Sequence, residues 1–124
     1  MNNRQTGTLM EEMACAFLKE HGALILARNF RSRTGEIDIV ARDGDTLVFA
    51  EVKYRESGKR GEPEEAVGPS KQRTICRTAD FYRVRYRVPE ETKVRFDVLA
   101  VRPSGTRSVH IRWIKDAFPY RGTS

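Results

Sequence analysis

Two β-rich segments separated by a strong turn signal constrain the fold of this sequence more than any other feature. Residues 36–42 and 47–54 have the composition of strands, and Asp43-Gly44-Asp45 between them is typical of a hairpin turn. Near the turn both faces of the two segments are apolar, as expected for strands that are covered on both sides. One face becomes ionisable at the end remote from the turn. The sequence therefore predicts a buried hairpin with charged side chains at one end of a sheet.

Hydrophobic periodicity and breaker residues predict the other elements. They are a helix at 8–20, a strand at 23–27, a basic loop at 28–34, a mobile loop and candidate substrate flap at 55–68, a helix capped by Ser70 and running to about 83, and strands at 94–101 and 109–114. Helix, three strands, helix and two strands predict an α/β or α+β layer protein with a mixed sheet.

Length and composition favour one soluble domain. A chain of 124 residues, with 39% hydrophobic and 32% charged residues, can bury a single core. We expect a domain at 1–118 and a loose tail at 119–124. No apolar run approaches the roughly 18 residues of a membrane span, and the N-terminus lacks the apolar core of a signal peptide. The expected location is cytoplasmic, without membrane contact.

Cysteine, histidine and net charge narrow the function classes. Cys15 and Cys76 have no nearby partner at metal-ligand spacing, and we expect both to be small buried side chains. His21 and His110 lie far apart, and no Ser or Cys nucleophile stands beside either, which argues against a hydrolytic triad. With 23 Lys and Arg against 17 Asp and Glu, the net charge is +6. This charge favours polyanionic partners such as nucleic acid.

The ionisable end of the hairpin predicts a cluster of acids. Alternation places Glu36, Asp38 and Val40 on one face of the first strand. On the partner strand Glu51 and Lys53 share a face with the apolar residues Leu47 and Phe49. A four-residue connection sets Asp38 opposite Glu51 and Glu36 opposite Lys53, and a two-residue connection would shift the pairs but keep them on one face. A three-residue loop without a bulge would separate Asp38 from Glu51.

Carboxylates placed this closely need a counter-charge. Two of them about 4 Å apart repel by roughly 4 kcal/mol at an effective dielectric near 20. A divalent cation held by Asp38 and Glu51, with the carbonyl of Val52, would remove the repulsion, and hard oxygen ligands suit Mg²⁺ or Mn²⁺. Lys53 would then hold or help deprotonate a water for attack on a phosphodiester. The alternative is an exposed strand end with an ordinary Glu36 and Lys53 ion pair.

These residues also carry a family resemblance. Gly35-Glu36-Ile37-Asp38 and Glu51-Val52-Lys53 resemble the Asp…Glu-x-Lys signature of the restriction-endonuclease-like nuclease superfamily. Further matches are Gly7, Glu11, Arg28-Asn29-Phe30, Leu47 to Ala50, Glu65-Ala66-Val67, Lys71 and Arg95-Phe96-Asp97-Val98. Together they resemble the bacterial YraN-like family of uncharacterised predicted endonucleases, related to archaeal Holliday junction resolvases. Met10 departs from the pattern, because the family often has a second glycine there.

The resemblance implies a three-layer core with a mixed central sheet of about five strands between helices. It also implies metal ligation by Asp38 and Glu51, a catalytic role for Lys53 and a supporting acid at Glu11. Glu36 belongs to the pattern as a ligand or as a structural partner. Glu11 has an alternative reading as a solvated first-turn acid favoured by the helix dipole, and its neighbour Glu12 could serve equally well.

Two functional hypotheses follow. The first is a Mg²⁺- or Mn²⁺-dependent endonuclease that hydrolyses DNA phosphodiester bonds, including branched or structured DNA, for which a symmetric homodimer would suit the cutting of two strands. The second is a noncatalytic nucleic-acid-binding module that retains the fold. In both, phosphate contacts are expected from a basic set that could equally form solvated faces: Arg28, Arg31, Arg33, Lys71, Arg73 and Arg77.

Overall fold

A computed structural model describes residues 3–55 and 67–122, with side chains from residue 8 onward. The interior of the predicted mobile loop, including Glu65 and Ala66, lies outside these residues. The elements are α1 (Asn3–Glu20), β1 (Leu24–Ser32), β2 (Gly35–Asp43), β3 (Thr46–Tyr54), α2 (Pro69–Arg85), β4 (Lys93–Ser104) and β5 (Ser108–Phe118).

The strands form one mixed sheet in the order β1-β2-β3-β4-β5. Only β3 and β4 are parallel, and α2 lies in the connection between them, whereas the other neighbours are antiparallel. Each helix covers one face. The α1 side contains Ala14, Leu18, Ile39, Ala41 and Leu99, and the α2 side contains Ile75, Ala79, Val40, Phe49 and Phe96. The predicted α/β fold with about five strands between helices is confirmed.

The basic loop predicted at 28–34 is wrong over most of its length. The segment continues β1 as far as Ser32, with Arg28 paired to Ile39 and Arg31 to Glu36. Phe30 explains the difference, because its ring packs edge-on against Tyr82 of α2 with centroids 5.1 Å apart. This half-buried aromatic helps to hold the edge strand on the sheet, while the arginines of the strand remain exposed.

The ends of several elements also differ from the prediction. Ser70 does not cap α2, because the cap is Gly68 in an extended conformation and Pro69 begins the helix. Proline suits a first turn, where its missing N–H has no helical partner. Both helices and the last two strands extend beyond the predicted ranges. Among the described residues, no helix has the length and apolar character needed to cross a bilayer.

Residues 119–122, which follow β5, have no regular secondary structure, yet some of them contact α2. The Tyr120 hydroxyl donates a hydrogen bond to Asp80 at 2.8 Å, and the Arg121 backbone N–H points to Cys76 Sγ at 3.3 Å. Both cysteines are buried and free, as expected. Residues 120 and 121 are therefore docked on the helix although the sequence predicts a loose tail.

A close approach between the β1–β2 turn and α2 requires glycine at position 35. Thr34 donates to the Thr78 hydroxyl, which donates to the Thr74 carbonyl, both at 2.9 Å. Gly35 has φ +156, and a Cβ there would lie 2.5 Å from Thr74 Cγ2. The motif glycine before Glu36 therefore lets the turn sit directly on the helix.

We expect Gly35→Ala to destabilise the protein by about 2–4 kcal/mol, because strained backbone and overpacking act together. Chemical denaturation would measure this loss. Thr74→Ser in the same chain removes the clashing methyl and should restore part of the stability. Gly44→Ala is the matched control, since Gly44 has φ +64 but no neighbour within 4 Å. Equal losses at positions 35 and 44 would contradict the packing explanation.

Candidate metal centre

The acidic residues lie where two strands of the sheet separate. The β2–β3 register runs from Asp43↔Thr46 to Ile39↔Ala50, which makes Asp38 and Glu51 the next opposed residues, as predicted. Beyond this point β2 stays paired with β1 as far as Gly35, while β3 stays paired with β4 as far as Tyr54. The two central strands therefore fork, and the pair predicted to be directly opposed stands at the opening.

Asp38 bridges this fork through its side chain. Its Oδ2 accepts a hydrogen bond from the Val52 N–H at 2.8 Å, across the gap between the two strands. A carboxylate thus replaces a backbone carbonyl as the partner of this N–H. The arrangement locks Asp38 against the start of the Glu51-Val52-Lys53 segment.

The predicted alternation of β2 fails at Asp38. Ile37 packs in the same cluster as Val40 on the α2 side, whereas strict alternation would put them on opposite faces. The change coincides with Asn29 of β1, which has φ +52 and stands where the register passes from Arg28↔Ile39 to Phe30↔Ile37. The prediction that Glu36, Asp38 and Val40 share one face is therefore wrong.

This break brings the two β2 acids to helix α1. Carboxylate oxygens of Glu11, Glu36 and Asp38 all lie within 4.8 Å of one another, a spacing that could hold a metal ion. Glu51 hydrogen-bonds to Asp38 from the other strand. The structure thus assembles Glu11, Glu36, Asp38 and Glu51 from three elements. We call these four residues the acid cluster.

Burial and neighbouring charge raise the pKa of two members of the acid cluster, Asp38 and Glu11. Burial first, and then the charge of Glu51, raise the pKa of Asp38 to about 7, against the lowering effect of the Val52 N–H. Burial and the charge of Asp38 also raise the pKa of Glu11, although a hydrogen bond from the Asn29 side chain opposes this. A bound cation would offset the cost of ionising Asp38 and Glu11 in this environment.

Basic side chains surround the acid cluster. Lys71 Nζ of α2 lies 3.5 Å from Glu51 Oε2, and Arg31 Nε lies 3.3 Å from Glu36 Oε1. Lys53 is half-buried on β3, two residues after Glu51, and Arg28 on β1 is close enough to act on the charge of Glu11. Lys71, a predicted phosphate contact, is therefore paired with an acid of the cluster.

The other predicted phosphate contacts lie on exposed surfaces. Arg33 is in the β1–β2 turn, and Arg73 and Arg77 are on α2. The threonine bonds described above hold that turn against the helix. Glu12 of α1 is also exposed, whereas Glu11 is partly buried and belongs to the acid cluster. The structure thus brings Glu11, rather than the exposed Glu12, to the acid cluster.

Sequence reasoning assigned no role to two residues that shape this region. Asn29 adopts a positive φ, and its side chain hydrogen-bonds to Glu11. Asparagine tolerates this backbone conformation better than most residues, which is the one feature of the sequence that points to its role. Asp97 is fully buried on β4, where Arg95, Trp113 and the Asp116 backbone N–H all donate to it. The sequence feature that points to a buried Asp97 is its position between the apolar residues Phe96 and Val98.

Comparison with known proteins places the chain in a family. Residues 10–101 match the family described as Uncharacterised protein family UPF0102. The chain belongs to this family. A UPF0102 protein of Syntrophus aciditrophicus is 52% identical over 118 residues, covering 94% of this chain and 90% of that protein. One from Lachnoclostridium phytofermentans is 47% identical and covers 99% and 100%.

A third UPF0102 protein, from Aliivibrio fischeri, is 43% identical over 117 residues, covering 94% of this chain and 93% of its own length. UPF0102 is the YraN family, so the resemblance predicted from the motifs is confirmed. The matched range includes all four members of the acid cluster and Lys53, but not the end of β4 or any of β5.

Proposed function

We propose that this UPF0102 protein is a Mg²⁺- or Mn²⁺-dependent endonuclease that hydrolyses phosphodiester bonds in DNA, including branched or structured DNA. The observation that carries the proposal is the placement of Asp38. It is a largely buried carboxyl group within reach of three other acids, at the fork between two strands. Perturbed acids gathered in this way are characteristic of functional sites.

The donor set fits a hard divalent cation. Carboxylate oxygens are the ligands preferred by Mg²⁺ and Mn²⁺, and here a cation would also relieve the repulsion that burial strengthens. Asp38 and Glu51 would hold it with the Val52 carbonyl, while Glu11 and Glu36 supply further acid on the α1 side. When bound, the metal would supply Lewis-acid stabilisation of charge that develops on the phosphoryl oxygens.

The chain's own residues would position the reactants. Lys53 lies next to the proposed ligands and would hold a water for attack on phosphorus and assist its deprotonation. Lys71, held beside Glu51, is placed to meet a phosphate as it reaches the acid cluster. Arg28, Arg31, Arg33, Arg73 and Arg77 would contact the DNA backbone, giving affinity that falls with rising salt.

A test separates metal binding from turnover. Calorimetry would measure Mn²⁺ and Mg²⁺ binding to the wild type and to Lys53→Gln, and both proteins would be incubated with linear, flapped and four-way-junction DNA. We expect Lys53→Gln to bind metal with similar affinity but to cleave at least about 100-fold more slowly.

The basic surface provides the control for this test. Arg77→Gln removes one positive charge without touching the acid cluster, so it should weaken DNA binding and leave the cleavage rate at saturating DNA unchanged. DNA binding without metal affinity in the wild type would contradict the nuclease and identify a noncatalytic binding module. Absence of both would exclude both functions.

A further inference from the structure

A groove at the opposite end of the molecule has the chemistry of a peptide site. A cavity of about 360 Å³ lies between the C-terminal half of α2 and the turn end of the sheet, and its wall includes Leu26, Leu47, Tyr82, Tyr86, Arg42 and Arg87. Arg42 and Leu47 are each four residues along their strands from Asp38 and Glu51, which is about 13 Å. An occupant of the groove would leave the acid cluster accessible.

Apolar side chains are exposed in and around this groove. Tyr86 on its wall is 53% exposed, and on the same helix Phe81 and Val84 are 50% and 80% exposed. Leu24 and Leu26 of the edge strand β1 are exposed as well. Large apolar groups gathered on one surface, rimmed by charged residues, mark interaction sites more often than they mark ordinary surface.

The groove also presents positive charge that no acid of the described chain pairs with. Among residues 3–55 and 67–122, no carboxylate forms an ion pair with Arg42 or Arg87. Two of the nearby acids are engaged elsewhere, since Asp45 pairs with Lys93 at 3.1 Å and Asp80 accepts from Tyr120. Two exposed guanidinium groups therefore flank an apolar cavity.

We propose that this groove binds a short acidic peptide segment of a protein partner. One bulky apolar side chain fills the cavity against Leu26, Tyr82 and Tyr86, while carboxylates on either side of it pair with Arg42 and Arg87. The volume of about 360 Å³ is at the lower end of the range for ligand pockets, and it holds one large side chain together with part of the flanking peptide. Tyrosine and arginine are the residues enriched at such interfaces, because they combine contact area with directed hydrogen bonds. The site is independent of the proposed nuclease chemistry.

Charge complementarity favours this occupant over the alternatives. A second copy of the chain would bring another surface of a protein with net charge +6 against the two arginines. A nucleic acid carries a phosphate at every nucleotide, and some of them would face Asp45 and Glu90, which stand on the rim of this groove and of the adjoining cavity that shares Arg87. An acidic peptide can place its carboxylates beside the arginines and away from these two acids, and can direct its apolar residue inward.

Fluorescence polarisation with the full-length protein tests the proposal. The probe is a fluorescein-labelled hexapeptide that carries one phenylalanine among aspartates. We expect saturable binding that weakens about tenfold or more when alanine replaces the phenylalanine, and similarly in Arg42→Gln or Arg87→Gln. Lys19→Gln removes the same charge from the exposed end of α1 and should leave binding unchanged. Circular dichroism would confirm that each variant is folded.

Several outcomes would overturn the proposal. One is no saturable binding of the probe up to about 1 mM, and another is equal weakening by Lys19→Gln, which would show only nonspecific attraction. A dimer in sedimentation that dissociates on Tyr86→Glu would assign the surface to a second copy. Stronger competition by a single-stranded oligonucleotide than by unlabelled peptide would assign it to nucleic acid. DNA cleavage assays would test the proposed activity of the acid cluster independently of peptide binding to the groove.

Discussion

Replacing Asp38 with asparagine is expected to stabilise the metal-free protein by about 2–4 kcal/mol above pH 7 and to slow DNA cleavage by about 10³-fold or more. The two effects share one cause. Burial and the neighbouring charge of Glu51 make an ionised Asp38 unfavourable in the folded chain, and a bound cation would use that same charge. Asparagine keeps an oxygen that can accept a hydrogen bond from the Val52 N–H, so the side chain should still bridge the fork between β2 and β3.

The stability difference between Asp38→Asn and the wild type should depend on pH. The pKa of Asp38 is raised from 3.8 to about 7 in the folded protein. Below about pH 4 the group is protonated in both states, so Asp38→Asn should change little. Between about pH 4 and pH 7, Asp38 is protonated in the folded wild type but ionised in the unfolded chain. The stability that this proton contributes falls as the pH rises and is lost above about pH 7. The advantage of the variant should grow over the same interval and then level off.

Denaturant melts in EDTA at pH 4, 6 and 8 would measure this profile, and repeating them with Mn²⁺ would test the metal. The wild type should gain stability from Mn²⁺, and Asp38→Asn should not. Asp45→Asn is the matched control, because Asp45 is an exposed aspartate whose pKa is lowered by Lys93, so its loss should not stabilise. Destabilisation by Asp38→Asn at pH 8 would mean that the acid cluster is a structural network.

Truncating Asp97 to alanine is expected to destabilise the protein by about 3–5 kcal/mol, independently of any metal. The Asp97 side chain is 0% exposed and accepts from the Arg95 guanidinium at 2.9 Å and from the Trp113 indole N–H at 2.8 Å. Its Oδ1 also accepts from the Asp116 backbone N–H at 2.9 Å. Alanine would leave a largely buried guanidinium and two donors without their acceptor.

A double-mutant cycle tests this explanation by urea denaturation. Arg95→Met removes the buried charge, so Asp97→Ala should cost less in that background than in the wild type. Asp43 also accepts a hydrogen bond from Arg95 at 2.8 Å, so it should reduce the stability loss in Asp97→Ala. It should not abolish this loss, because Trp113 and the Asp116 N–H donate to Asp97 and not to Asp43. Asp45→Ala, at an exposed site, should cause no comparable loss. Strict additivity at positions 95 and 97 would contradict the proposed network.

Much of the fold follows from local sequence signals. The Asp43-Gly44-Asp45 turn and the apolar runs beside it predicted the central hairpin, and the observed register is the one that puts Asp38 next to Glu51. The boundaries were less predictable. β1 was predicted to end at 27 because its later residues are polar, but Phe30 packs on α2 and carries the strand to Ser32.

The sequence predicted which residues form the acid cluster better than it predicted how they are arranged. Strict alternation put Glu36 and Asp38 on the face of Val40, whereas the structure turns them toward Glu11 of α1. No local pattern around Asp38 shows this change, because it coincides with the positive φ of Asn29 on the neighbouring strand. A residue's face in a sheet depends on its partner strand as well as on its own position.

By itself, the sequence determined the element types, the central register and the placement of Asp38 next to Glu51, since these depend on neighbouring side chains and turn geometry. Tertiary structure alone decided that β2 and β3 fork, that Lys71 meets Glu51, and that Asp97 lies within a buried network. The physical reason is the distance along the chain. Each arrangement joins segments whose approach is set by the packing of both helices on the sheet, and no local propensity encodes that packing.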